Sequence, residues 1–208
     1  MTVTVRVNPA QLSRSALGRV AHGIRAGQVA AIPTDTVYGL AADPFQPAVV
    51  ERIFRLKGRP EGKPLLLLAA SRQQAEELAA RLPEVFAVLA ARFWPGPLTM
   101  IVAASPAIPQ AVTAWTGTVA VRVPGAVLTR ELIRAAGRPL TGTSANRSGQ
   151  PAAESAAQVR EQFPAGLDWI LDGGPARASA PSTIVDLTGR PRVVREGAIP
   201  AEAVLWPG

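Results

Sequence analysis

Short runs with strand alternation recur along the whole chain, and between them lie stretches with helical spacing and capped ends. That interleaving points to an α/β architecture and away from all-α and all-β ones. Thr2 to Val7 alternates in the strand period. Asn8-Pro9 reads as the cap and first residue of a helix running to about Ala26, with Gly27 as its stop. Gln28 to Ile32 reads as a strand that runs into PTDTVYGLAADPF, and Pro47 starts a helix ending at Gly58. Leu65 to Ala70 is an all-apolar run suited to a strand covered on both faces. Ser71 with Gln74 forms a capping-box pattern, Pro83 begins a helix to Phe93, and WPGP at Trp94 to Pro97 forces a turn. Strands are expected at Leu98 to Ala103, Thr118 to Val123, Pro139 to Ser144, Trp169 to Leu171, Thr183 to Leu187 and Arg192 to Arg195. Helices are expected over about Val127 to Ala136 and Ala153 to Phe163, and Gly173 to Pro181 reads as a loop.

The 208 residues suffice for one domain, taken as 1–208, and 48% hydrophobic with 18% charged residues excludes a disordered chain. No apolar run is long enough to span a bilayer, and MTVTVRVNPAQL lacks the pattern of a signal peptide. With no cysteine and a single histidine, His22, disulfides, thiolate nucleophiles and Cys- or His-cluster metal sites are excluded. The expected location is the cytoplasm, away from any membrane. His22 falls in the first helix and reads as a surface residue.

The net charge of +7 suits anionic partners such as nucleotides, pyrophosphate or nucleic acid, and equally a surface rich in arginine. The basic residues are 20 Arg and two Lys, and both lysines, Lys57 and Lys63, lie in KGRPEGK. A lysine in an arginine-rich chain marks a place where a compact ammonium has a use that a guanidinium does not.

Neither a phosphate loop of the G-x-x-x-x-G-K-[ST] type nor G-x-G-x-x-G is present. GTSAN at Gly142 to Asn146 departs from a nucleophile elbow at its last position, and the lone histidine lies elsewhere, which argues against a serine hydrolase. Asp35, Asp43 and Asp186 read as turn or loop acceptors. Three polar constellations remain. Thr34, Asp35, Thr36 and Tyr38 cluster after a strand, as an ordinary turn also would. Lys57, Arg59 and Lys63 bunch three cations on a backbone stiffened by glycines and prolines, which favours an anion site over a solvated face. Thr143, Ser144, Asn146 and Ser148 offer short donors after a strand, either as an anion nest or as a turn. The residues alone describe a phosphate-handling α/β protein without a metal cage of its own.

PTDTVYGLAAD, KGRPEGKPL, FWPGPLT, VAVRVP, TSANRSG and PSTIVDL, in this order from Ile32 to Gly197, together resemble the YrdC-like family, including its K-x-R…S-x-N signature as Lys57, Arg59, Ser144 and Asn146. The resemblance implies a twisted mixed sheet with helices around a large basic cavity, in the short form without a further C-terminal domain. It implies a nucleotidyltransferase that converts L-threonine, bicarbonate and ATP to L-threonylcarbamoyladenylate and pyrophosphate, for the threonylcarbamoyl modification of tRNA. Carried over by motif, Thr36, Arg122 and Ser182 would contact threonine, with Arg122 gripping the carboxylate bidentately. Lys57, Arg59, Lys63, Thr118, Ser144, Asn146 and Arg195 would line the nucleotide side, Lys57 and Arg59 acting on the phosphates in catalysis. Mg²⁺ would arrive with ATP; no metal is expected on the protein itself. Downstream threonylcarbamoyl-transfer enzymes, and tRNA, are the partners implied. Longer relatives carry a histidine in the strand after the K-x-R loop and often an asparagine at the Lys63 position; here Leu68 and Lys63 stand there. The related carbamoyl adenylate chemistry of hydrogenase maturation comes with acylphosphatase and zinc-finger segments absent from this chain. A reading from another class is a YrdC-like RNA-binding module without synthase activity, although 5% aromatic residues leave few stacking platforms.

Overall fold

The computed structural model describes residues 1–58, 64–176 and 180–205. In chain order the elements are β1 (Val3–Arg6), α1 (Arg14–Arg25), β2 (Ala30–Ile32), β3 (Gly39–Ala41), α2 (Pro47–Lys57), β4 (Leu66–Leu68), α3 (Arg72–Glu76), α4 (Glu84–Phe93), β5 (Leu98–Ala103), α5 (Gln110–Thr113), β6 (Thr118–Arg122), α6 (Val127–Ala136), β7 (Leu140–Thr141), β8 (Thr143–Ser144), α7 (Ala156–Gln162), β9 (Trp169–Asp172), β10 (Thr183–Asp186), β11 (Arg192–Arg195) and α8 (Ala201–Leu205). The α/β class read from the sequence holds, and the strands divide between two mixed sheets. One runs β1-β9-β2-β3-β8 and the other β11-β10-β5-β6-β4-β7.

Most helix ends follow their local chemistry. Pro47 opens α2, and Gly58 closes it in the left-handed conformation that glycine adopts without a Cβ clash. Ser71 Oγ accepts from Gln74 N at the start of α3, as its capping pattern indicates. Two starts differ from expectation. The first helix begins at Arg14, because Ser13 Oγ takes the cap bond from Ala16 N, whereas Asn8 Oδ1 accepts from Ala10 N in a turn of its own. The helix expected from about Ala153 begins at Ala156, capped by Ser155. Ala153 is committed elsewhere: its N–H donates to Ala145 O, and its carbonyl accepts from Tyr38 N. Strand β3 and helices α5 and α8 were not anticipated; β3 lies inside a segment read only for its polar residues.

The strand expected over Pro139 to Ser144 is two strands in different sheets. β7 pairs with β4 in the six-stranded sheet, and β8 pairs with β3 in the five-stranded one. The chain crosses between sheets at Gly142, where a Cβ would stand 2.4 Å from Leu68 Cγ. A glycine is needed for that close approach.

Two buried hydrophobic clusters support the sheets. The larger gathers Tyr38, Leu40, Ile53, Leu67, Phe86, Leu89, Met100 and Val121. The second lies under α1 and α6 and contains Val20, Ile24, Ile32, Leu68, Leu132 and Leu140. Each such side chain, fully buried, contributes about 1.5–3 kcal/mol. Among the described residues no helix is long and apolar enough to cross a membrane.

Candidate active site

Strand alternation builds the site. In β6, Val119 and Val121 point into the core while Thr118, Ala120 and Arg122 face a cavity of about 710 Å³. Neighbouring strands follow the same rule. Leu66 and Leu68 of β4, Thr99 and Ile101 of β5, Ser182 just before β10, and Ile184 within it all line the cavity. Their alternates Leu67, Met100 and Val185 lie in the core. The crossing at Gly142, Thr143 and Ser144 and the Thr34–Gly39 segment form the facing wall. The charged residues of the described lining are Arg122, Arg195 and Glu154.

The Thr34–Tyr38 segment is a tight polar turn. Thr34 Oγ1 donates to Val37 O at 2.7 Å, accepts from Thr36 N at 3.1 Å and lies 3.0 Å from Thr36 Oγ1. Both threonines are buried and line the cavity. Tyr38 is fully enclosed, with its hydroxyl donating to Gly174 O at 2.7 Å. Burial above all, then the charge of Asp172, pushes its phenol up to about 12.

Arg122 lies at the end of β6. Nε donates to Gly96 O at 2.9 Å, Nη1 to Thr36 Oγ1 at 3.0 Å, and Nη2 lies 2.7 Å from Asp35 Oδ1. Burial pushes the guanidinium pKa down, and Asp35 opposes that shift. Across the cavity wall, Arg195 Nη2 donates to Ser182 O at 2.7 Å and to Ser182 Oγ at 3.3 Å. Ser182 Oγ also pairs with Thr99 Oγ1 at 2.9 Å. The Arg195 pKa is lowered by burial and then by the charge of Arg122. Two arginines in one cavity, one of them lowered by the charge of the other, are an arrangement that can receive an anion.

Six of the residues carried over by motif therefore meet at one cavity: Thr36, Thr118, Arg122, Ser144, Ser182 and Arg195, with Thr34, Tyr38 and Thr143 of the polar constellations beside them. Lys57 and Asn146 sit beside it and not in its lining. Lys57 is buried at the end of α2, and its ammonium donates to Ser144 O at 2.5 Å, Asn146 O at 2.9 Å and Asn146 Oδ1 at 3.1 Å. Asn146 Oδ1 also accepts from Ser144 Oγ at 2.6 Å, and Nδ2 donates to Arg147 O and Gln150 O. The lysine thus fastens the Ser144–Asn146 turn that presents Ser144 to the cavity. Arg59 and Lys63 lie outside the described residues.

The sequence placed Asp35 in the Thr34–Tyr38 cluster only as a turn acceptor, and gave Thr99 no role. Thr99 carried a usable signal, since it is polar and alternates with apolar neighbours on a strand. For Asp35 the sequence marked the polar cluster but not the partner, because Arg122 is remote in sequence. Among the described residues no group of three or more His, Asp or Glu is placed to hold a metal ion.

A Sua5/YciO/YrdC family model, described as telomere recombination, matches residues 22–197. The chain is 44% identical over 188 residues to a protein of Pyrococcus abyssi named threonylcarbamoyl-AMP synthase, covering 89% of this chain and 55% of that one. It is 40% identical over 168 residues to a protein of the same name from Thiobacillus denitrificans, covering 80% of this chain and 89% of that one. The crystal structure of P. abyssi Sua5 complexed with L-threonine matches with a TM-score of 0.94 at 40% identity, over 99% of this chain and 61% of that one.

Proposed function

Because this chain belongs to the Sua5/YciO/YrdC family, we propose that it is a nucleotidyltransferase that makes L-threonylcarbamoyladenylate and pyrophosphate from L-threonine, bicarbonate and ATP. The observation that carries the reading is the pairing of Arg122 with Thr36 and of Arg195 with Ser182 in one cavity. Support comes from relatives named for this synthase and from the threonine complex of the P. abyssi protein.

In this reading Thr36, Arg122 and Ser182 hold threonine. Thr118, Ser144 and Arg195 receive the nucleotide, together with Arg59 and Lys63. Lys57 and Asn146 keep the Ser144 wall in place. The threonine amine and bicarbonate form a carbamate with loss of water. A carbamate oxygen attacks the α-phosphorus of ATP, the bond to the β-phosphate oxygen breaks, and pyrophosphate leaves. The carbamate is already anionic, so this step calls for positioning and for cations near the phosphate oxygens, not for a strong base. Arginines on rigid strands provide both. Mg²⁺ enters on the ATP phosphates. The product then passes to threonylcarbamoyl-transfer enzymes acting on tRNA, in the cytoplasm.

The test is incubation of the protein with ATP, labelled threonine and bicarbonate. Pyrophosphate release that needs all three, with a labelled threonylcarbamoyl adenylate, is the expected result. RNA binding without any pyrophosphate release would favour the non-catalytic module.

A further inference from the structure

We infer that Asp35, seated against Gly125, is the positioning residue that aims Arg122 at the threonine carboxylate, an inference that rests on the synthase reading above. The Arg122 side chain is 3% exposed, and contacts to three residues on two segments fix it. Two are aligned hydrogen bonds, from Nε to Gly96 O and from Nη1 to Thr36 Oγ1. The third differs in kind. Nη2 and Asp35 Oδ1 lie 2.7 Å apart and are both buried, yet neither makes an aligned hydrogen bond. Asp35 therefore holds the guanidinium through charge and contact more than through N–H direction.

This arrangement decides what a ligand meets. The Gly96 carbonyl closes the Nε edge, and Asp35 closes Nη2. Nη1 donates one N–H to Thr36 Oγ1 and has a second to offer, and both residues line the cavity. An arriving carboxylate finds one guanidinium N–H and one hydroxyl, in place of the two-pronged grip expected from the arginine alone. Asp35 is not part of the cavity lining, so it acts through Arg122 and not on the substrate. A guanidinium this enclosed also needs a counter-ion, since burying it unpaired is strongly unfavourable.

Gly125 makes the placement possible. A Cβ at that position would stand 2.9 Å from Asp35 Oδ2 and 3.1 Å from its Cγ. Any larger residue would move the carboxylate, and with it the arginine. Gly125 is likewise absent from the cavity lining.

The experiment compares the full chain with Asp35→Asn, Gly125→Ala, Arg122→Ala and the double variant Asp35→Asn/Arg122→Ala. Pyrophosphate release gives kcat and the separate KM values for threonine and ATP. Asp35→Asn and Gly125→Ala should each raise the threonine KM roughly ten- to hundredfold, the cost of misplacing a binding group by about 1 Å. The ATP KM should stay within about twofold. In the Arg122→Ala background, Asp35→Asn should add nothing, because the residue it acts through is gone. Gly125→Ala keeps both charges and decides the matter if Asp35→Asn does not fold. An unchanged threonine KM in the folded single variants, or a full additional loss in the Arg122→Ala background, overturns the inference while the synthase reading stands. A wild-type protein whose pyrophosphate release does not depend on threonine overturns the synthase reading and this inference together.

Discussion

Lys57 and Tyr38 show how single residues take roles that their motifs only partly indicate. A lysine in an arginine-rich chain suggests a phosphate ligand. Here the ammonium donates to three oxygens of the Ser144–Asn146 turn and so ties α2 to it. A compact head with three rotatable donors fits that pocket of carbonyls, whereas a planar guanidinium would not. Tyr38 is the single tyrosine of the chain, which makes its titration directly readable. Its pKa is raised from 10.0 to about 12 in the folded protein, so the folded state holds the phenolic proton more tightly than the unfolded state does. Its contribution to stability is complete below pH 10.0 and is lost as the pH rises towards about 12. Tyrosinate absorbance should therefore appear near pH 12 in the folded protein and near 10.0 in denaturant. Tyr38→Phe should remove the absorbance change and flatten the fall in melting temperature across that window. Tyrosinate forming near 10.0 in the native protein would show that the hydroxyl is not enclosed against Gly174 as described.

At the level of elements, the crossing between β7 and β8 links the two sheets. Leu67 and Leu68 pair with Thr141 and Leu140 in one sheet, and Gly39 and Leu40 pair with Ser144 and Thr143 in the other. Gly142 sits between them against the Leu68 side chain. Gly142→Ala should lower stability by about 1–3 kcal/mol, the usual cost of an added carbon in a packed core. Leu68→Ala alone should cost about 2–5 kcal/mol, since that side chain is buried. Denaturant unfolding of the double variant should show less loss than the sum of the two, because removing Leu68 removes the clash. Strict additivity would mean that the crossing accommodates the Cβ in some other way. The same element explains why one expected strand became two. Periodicity marks Pro139 to Ser144 as extended, but extended backbone can change sheets wherever a glycine allows two layers to meet.

For the whole molecule, the cavity joins the two sheets. Thr36 and Ser144 come from the side of the five-stranded sheet, and Thr99, Arg122 and Ser182 from that of the six-stranded one. A ligand that fills the cavity binds the folded chain and not the unfolded one. ATP with threonine should therefore raise the melting temperature, with stabilisation of about 2.7 kcal/mol when the free ligand stands at 100 times its Kd. The ATP effect should weaken as salt is added, because the attraction is between exposed phosphate and arginine charges. A melting temperature unmoved by ATP at millimolar concentration would remove the nucleotide from this cavity.

The amino-acid sequence determined most element types, many of their ends and the β6 face of the cavity. Each of those is a local property, carried by side-chain period, capping hydroxyls, glycines and prolines. Thr118 and Arg122 share a face because both are even steps along one strand, and no tertiary information is needed to see it. Tertiary structure alone decided the division into two sheets and the partners of the buried charges. Lys57 finds Asn146 across 89 residues, and Arg122 finds Thr36 across 86. Asp35 looked like one more turn acceptor until the fold set it against the Arg122 guanidinium. Local patterning specifies which way a side chain points, but the partner it meets depends on how distant strands pack, and that is settled by burial of the shared core.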